Sequence, residues 1–116
     1  MGGMAVAEQR VAERKFLRGL YEDPYFPDQV LDQGVAILTA LCERIEAERP
    51  ADLAALYVLT DAATEEFNAL EAAFEAAGSE IETVAREEIA EEFWVIASAY
   101  GFAGADPERL VGARYW

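Results

Sequence analysis

The 116-residue chain contains no histidine and a single cysteine. Without an imidazole, neither a Ser-His nor a Cys-His couple can be assembled. The usual ferritin-like di-iron centre also loses the Glu-x-x-His that it needs from each of two helices. Cys42 has no partner for an internal disulfide, which suits a reducing compartment, and with no histidine to activate it its expected role is structural. Cations are scarce: nine Lys and Arg face 23 Asp and Glu, for a net charge of −14. A surface this negative repels phosphate backbones and anionic headgroups, so neither nucleic acid nor a membrane is an expected partner. The opening MGGMAVAEQR lacks the apolar core of a signal peptide, and no apolar run approaches the length of a membrane span. None of the eight glycines starts a phosphate-binding loop. The expected location is the cytoplasm. Strand-like alternation, internal repeats and low-complexity linkers are absent as well.

What is present is apolar content, 53% of the residues, too much for a disordered acidic tail and enough for one domain spanning residues 1–116. Residues 1–4 are expected to be a disordered or appended start. A first helix is read over residues 5–20, with Phe16, Leu17 and Leu20 as its apolar end. From Pro27 to about Glu48, Val30, Gly34, Ile37, Leu38, Leu41 and Ile45 recur at helical spacing. A third helix starts at Asp52, a good N-cap, carries Leu53, Leu56, Thr60, Ala63, Phe67, Leu70 and Phe74 on one stripe, and stops at Gly78. Ser79-Glu80-Ile81-Glu82 matches a capping box opening a fourth helix that runs to Gly101 with Ile81, Ala85, Ile89, Phe93, Ile96 and Tyr100 inward. The short gap between the third and fourth helices predicts a tight antiparallel hairpin. Asp106-Pro107 opens a last short helix. The expected fold is therefore all-α, an antiparallel bundle of about four helices with a short C-terminal helix.

Charge is unevenly distributed along this plan. Arg10, Arg14, Lys15 and Arg18 crowd the first helix, whereas residues 61–92 hold eleven acids against Arg86 alone. The basic N-terminal segment is expected to lie against the acidic part. Gly34, inside a helix, costs about 1 kcal/mol relative to alanine, which close helix packing or an aromatic lodged against it would justify.

Residues 21–27, YEDPYFP, place three rings, two acids and two prolines in seven positions. With Pro27 opening a helix, Tyr25 and Val30 fall at hydrophobic-staple positions, and Asp23-Pro24 suits the start of a type I turn. The stretch reads as a corner between helices, with Tyr21 and Tyr25 available as interface rings. Together with LCERIEAERPADL, YVLTDAATEEFNALEAAFE and EIETVAREEIAEEFWVIASAYGF, it resembles a family of small acidic bacterial proteins classed as a domain of unknown function, from about Phe16 to Trp116. That resemblance implies no established activity, cofactor or catalytic residue.

Carboxylates are the plentiful chemical resource. Glu88 and Glu92 flank the inward stripe of the fourth helix, where they would face Thr60, Thr64 and Asn68, an i, i+4, i+8 polar line on the third. Such a set would suit a hard divalent cation such as magnesium or manganese, or acid-base chemistry. The other reading of the threonine-asparagine line is mutual satisfaction inside the bundle. Glu82 and Arg86 are spaced for a helix-surface ion pair. Trp94 lies beside the core stripe and is a third candidate interface ring, and Tyr115-Trp116 is expected to fold back as a plug, with a homodimer through the third and fourth helices as the alternative. The leading expectation is a non-enzymatic interaction protein, without cofactor, whose acidic face binds a basic protein partner. The competing one is a metal-binding protein or hydrolase built on Glu88 and Glu92.

Overall fold

A computed structural model describes residues 8–116, and among them every regular element is a helix. Three long helices form the body: α3 (Asp28–Glu48), α4 (Leu53–Ala76) and α5 (Thr83–Ala99). Three single turns accompany them: α1 (Gln9–Ala12), α2 (Arg18–Tyr21) and α6 (Pro107–Leu110). The chain is thus all-α, as expected, and among the described residues three long helices pack together with short turns on either side of them. Residues 1–4, and residues 5–7 of the first expected helix, lie outside the described part.

The expected helix over residues 5–20 is interrupted. Leu17 adopts the left-handed conformation, φ 61°, and ends any continuous helix between α1 and α2. This conformation costs a non-glycine residue about 1 kcal/mol or more. Two contacts hold it: the Leu17 side chain is 1% exposed, and its amide is bound by a carboxylate of α5.

The α4 start falls where expected, with the Asp52 carboxylate accepting from the Ala55 amide at 2.9 Å. Its end is a Schellman turn: Gly78, φ 85°, lets the Ser79 amide reach the Phe74 carbonyl at 2.8 Å and its own amide reach Glu75. Gly101, φ 90°, ends α5 in the same way. The first of these turns explains why the expected capping box does not form. Ser79 is already consumed as the residue that closes α4, so α5 begins only at Thr83 and its N-cap, Glu82, makes no side-chain cap bond. Ile81 is buried in the link between them.

The closest helix pair is α3 with α4 rather than the expected hairpin of α4 with α5. The residues responsible are Gly34 and Phe67. A Cβ at Gly34 would stand 3.0 Å from Leu17 Cδ1 and 3.3 Å from Phe67 Cε1, so the missing side chain is the space those two groups occupy. Phe67 also meets Phe93 of α5 at 6.0 Å and Trp116 at 6.3 Å between ring centroids. Bulky rings therefore separate the α4 and α5 backbones, while a glycine lets α3 approach α4. One hydrophobic core results, fed by all three long helices and by both flanking segments.

The corner at residues 21–27 is a turn. The Phe26 amide bonds the Asp23 carbonyl at 3.1 Å and the Tyr25 amide bonds the Asp23 carboxylate at 2.9 Å. Pro27 occupies the N-cap, one position earlier than expected, which moves the staple by one residue. Phe26 and Leu31, not Tyr25 and Val30, hold the staple positions, and both are buried. Phe26 packs edge-on against Phe74.

Candidate functional site

The carboxylates of α5 that flank its core stripe turn toward the N-terminal segment. Glu92 is 1% exposed and accepts from Arg14 Nε at 2.5 Å and from the Leu17 amide at 2.8 Å. One turn earlier, Glu88 accepts from the Gly19 amide at 2.8 Å. These two donors lie at the start of α2, where the positive end of the helix favours an anion. A Cβ on Gly19 would stand 2.5 Å from Glu88 Oε1, so glycine is what admits the carboxylate. At the far end of α5, Arg10 donates to the Ala99 carbonyl at 2.7 Å, a cation on a helix C-terminus. Four contacts thus hold the N-terminal segment against α5, and one of them, Arg14 with Glu92, pairs a cation of the basic segment with an acid of the acidic part.

The polar line of α4 serves the other end of the chain. Asn68 Nδ2 donates to the Ala113 carbonyl at 3.0 Å while its Oδ1 accepts from the Tyr115 amide at 2.9 Å. The Thr64 hydroxyl reaches the Thr60 carbonyl at 2.7 Å and the Leu110 carbonyl at 3.3 Å. Asp61 takes the Arg109 guanidinium with both oxygens, at 2.7 and 3.1 Å, and the Tyr57 hydroxyl accepts from the Asp106 amide at 3.0 Å. Tyr57, Asp61, Thr64 and Asn68 follow one another at spacings of four, three and four, one stripe of a helix. They bind residues 106 to 115 in ascending order. Thr60 stands outside this ladder, bonded to the Tyr57 carbonyl of its own helix.

The expected site is therefore divided. Glu88 and Glu92 do not face Thr60, Thr64 and Asn68 across a shared seam; each set holds a different flanking segment. Among the described residues no group of three or more His, Cys, Asp or Glu side chains is placed to hold a metal ion. Tyr57 and Asp61 were missed in the sequence because the residues they bind lie about 50 positions away. The helical spacing from Thr64 and Asn68 was the available signal.

Of the three candidate interface rings, Tyr21 is engaged internally. Its hydroxyl donates to Asp32 at 2.5 Å and Lys15 Nζ lies 5.1 Å from its ring centre. Burial and then the Asp32 carboxylate push its pKa up to about 12. Tyr25 and Trp94 are exposed, at 42% and 40%. Trp116 folds back against Phe67 and is buried, whereas Tyr115 projects into solvent. The Glu82–Arg86 side-chain pair is not formed among the described residues; Arg86 bonds Glu82 only through the backbone.

Cys42 is fully buried, and burial, followed by the charge of Glu46, pushes its thiol up to about 12. The Tyr100 hydroxyl donates to the same Glu46 carboxylate, which also accepts from the Glu8 amide. Burial first and that bond second hold the Tyr100 phenol well above its ordinary range.

Several of the other acids face water. Glu65, Glu66 and Glu75 on α4, and Glu87 and Glu91 on α5, are exposed, and none of them is paired with a cation among the described residues. No helix of the described residues is long and apolar enough to cross a membrane.

The chain belongs to a family of unknown function, DUF5713, whose model matches residues 10–116. No curated protein and no solved structure matches it.

Proposed function

We propose that this chain is a non-enzymatic, cytoplasmic interaction protein whose acidic surface binds a basic protein partner. The observation that carries the reading is the division of labour among its carboxylates. Those with a structural task, Glu88, Glu92, Asp61 and Asp52, sit on named internal donors. Glu65, Glu66, Glu75, Glu87 and Glu91 have none among the described residues, and they project from α4 and α5 of a chain with net charge −14. Unpaired like charges oppose compaction through mutual repulsion. A cationic partner relieves that repulsion and gains the steering that speeds association.

The test is the affinity for a basic partner cross-linked to the chain in cells, remeasured with purified components as salt is raised. The proposal expects binding to weaken with salt, and to weaken again when the five exposed glutamates are changed to lysine while the helical circular dichroism is kept. Affinity indifferent to both changes overturns it.

A further inference from the structure

The inward side of α5 is filled: Ala85, Ile89, Phe93 and Ile96 are in the core. One flank is taken as well, since Glu88 and Glu92 hold the N-terminal segment. The face left open carries Val84, Glu87, Glu91 and Trp94. Their spacing of three, four and three puts them on one stripe of the helix, about 15 Å from end to end. Val84 is 56% exposed and Trp94 40%, and neither glutamate between them is paired with a cation among the described residues. A single surface valine or tryptophan needs no explanation. Two of them bracketing a pair of acids one turn apart form a pattern with a definite complement.

We propose that this stripe docks a basic amphipathic helix of a partner protein, with two cationic side chains one turn apart over Glu87 and Glu91 and apolar anchors against Trp94 and Val84. This rests on the reading of the acidic surface as a protein-binding one and names the part of it that does the binding. Charge complementarity selects the occupant. A second copy of this chain docking through the same stripe would have to place the patch against itself, as a two-fold interface does, and so bring Glu87 and Glu91 against their own equivalents. A phosphate backbone would be repelled by the same pair. The flank of the same helix shows the favoured chemistry already in use, with Arg14 of a basic segment seated on Glu92. Tryptophan is also the side chain that most often dominates binding energy at the centre of an interface.

The test uses the full chain and a labelled synthetic helical peptide with arginines at i and i+4 and leucines at i−3 and i+7. A permuted peptide of the same composition with the arginines moved off that face serves as the comparison. Dissociation constants are read by anisotropy. The proposal expects the patterned peptide to bind more tightly than the permuted one. It expects Glu87→Gln with Glu91→Gln to weaken binding by about tenfold and Trp94→Ala by about as much, for an interfacial charge pair and a tryptophan anchor respectively. Glu65→Gln with Glu66→Gln on α4 should change it less than about twofold, as expected for carboxylates outside the contact. All five substituted positions are exposed, and circular dichroism checks that each variant keeps its helices. If the two glutamine pairs weaken binding equally, or the permuted peptide binds as well, the stripe is overturned while the broader acidic surface still binds cations. If neither peptide binds, at low salt or high, the reading of the acidic surface falls together with the stripe.

Discussion

Arg14 and Glu92 meet across 78 positions of sequence, Nε to Oε1 at 2.5 Å, and the carboxylate is closed to solvent while the guanidinium reaches it from the rim. The same carboxylate fixes the Leu17 amide. One side chain of α5 therefore holds the non-helical stretch between α1 and α2 and the backbone of Leu17, which enters the core beside Gly34.

Removing the cation should cost more than removing most surface charges, because it strands a buried anion. Arg14→Ala is expected to destabilise the fold by about 3 kcal/mol. Glu92→Gln, whose amide can satisfy one donor but not both, should cost about 2 kcal/mol. Replacing both with apolar residues should cost less than the sum of the two. Urea unfolding of the three variants checks this, and a loss under about 0.5 kcal/mol for Arg14→Ala, the range of ordinary surface substitutions, would show the pair to be dispensable.

The C-terminal ladder makes a separate prediction. Asn68→Ala breaks both bonds that tie residues 113 and 115 to α4 and should cost about 1–2 kcal/mol. Trp116→Ala empties the space against Phe67 and should cost about 3 kcal/mol or more. Because both act on the same segment, the double variant should lose less than the two costs added together. Full additivity in thermal or denaturant unfolding would mean that the ladder and the plug are independent.

Gly34 offers a case in which helix propensity and packing disagree. Alanine is favoured in a helix by about 1 kcal/mol over glycine. Here its methyl would press on Leu17, held by Glu92, and on the buried Phe67 ring, and overpacking costs about 1–3 kcal/mol. Gly34→Ala should therefore lower the unfolding midpoint. A raised midpoint would mean that Leu17 and Phe67 yield more easily than their contacts imply.

Much of the fold was legible in the sequence, since the core stripes of the three long helices are periodic and Asp52, Gly78 and Gly101 punctuate them by backbone chemistry alone. The breaks came where a distant residue overrides a local pattern. Nothing between residues 5 and 20 announces that Leu17 turns left-handed, because the contact that holds it there, with Glu92, is 75 positions away. The Ser79 capping box is locally plausible, but the same serine closes the Schellman turn of α4, and one residue cannot end one helix and begin the next. Glu88, Glu92, Thr64 and Asn68 stand out in the sequence as polar groups beside a core stripe. Their partners are amides, carbonyls and an arginine of the flanking segments, and sequence spacing carries no record of which segment folds onto which helix.

Alkaline pH should expose the buried hydroxyl and thiol cluster. Cys42 in the fold ionises near 12 against an ordinary value of 9.0, and Tyr100 is raised as well. Above pH 9 the unfolded chain loses these protons while the folded chain keeps them, so stability is fully present below that pH and falls as pH rises toward the folded values. Native Cys42 should also resist thiol reagents between pH 7 and 9, labelling only as fast as the fold opens. Rapid labelling without denaturant would contradict its burial.

The carboxylates are of two kinds, those that sit on internal donors and hold the fold together and the exposed ones to which we propose a partner binds. Thermal unfolding of Glu92→Gln beside the double variant Glu87→Gln with Glu91→Gln measures that difference directly. The expected result is a midpoint lowered by several degrees for the first, with the second unchanged or slightly raised as repulsion on a −14 surface is relieved. A double variant destabilised as much as Glu92→Gln would show that the outer acids are structural too, and would leave no free acidic face for a partner to bind.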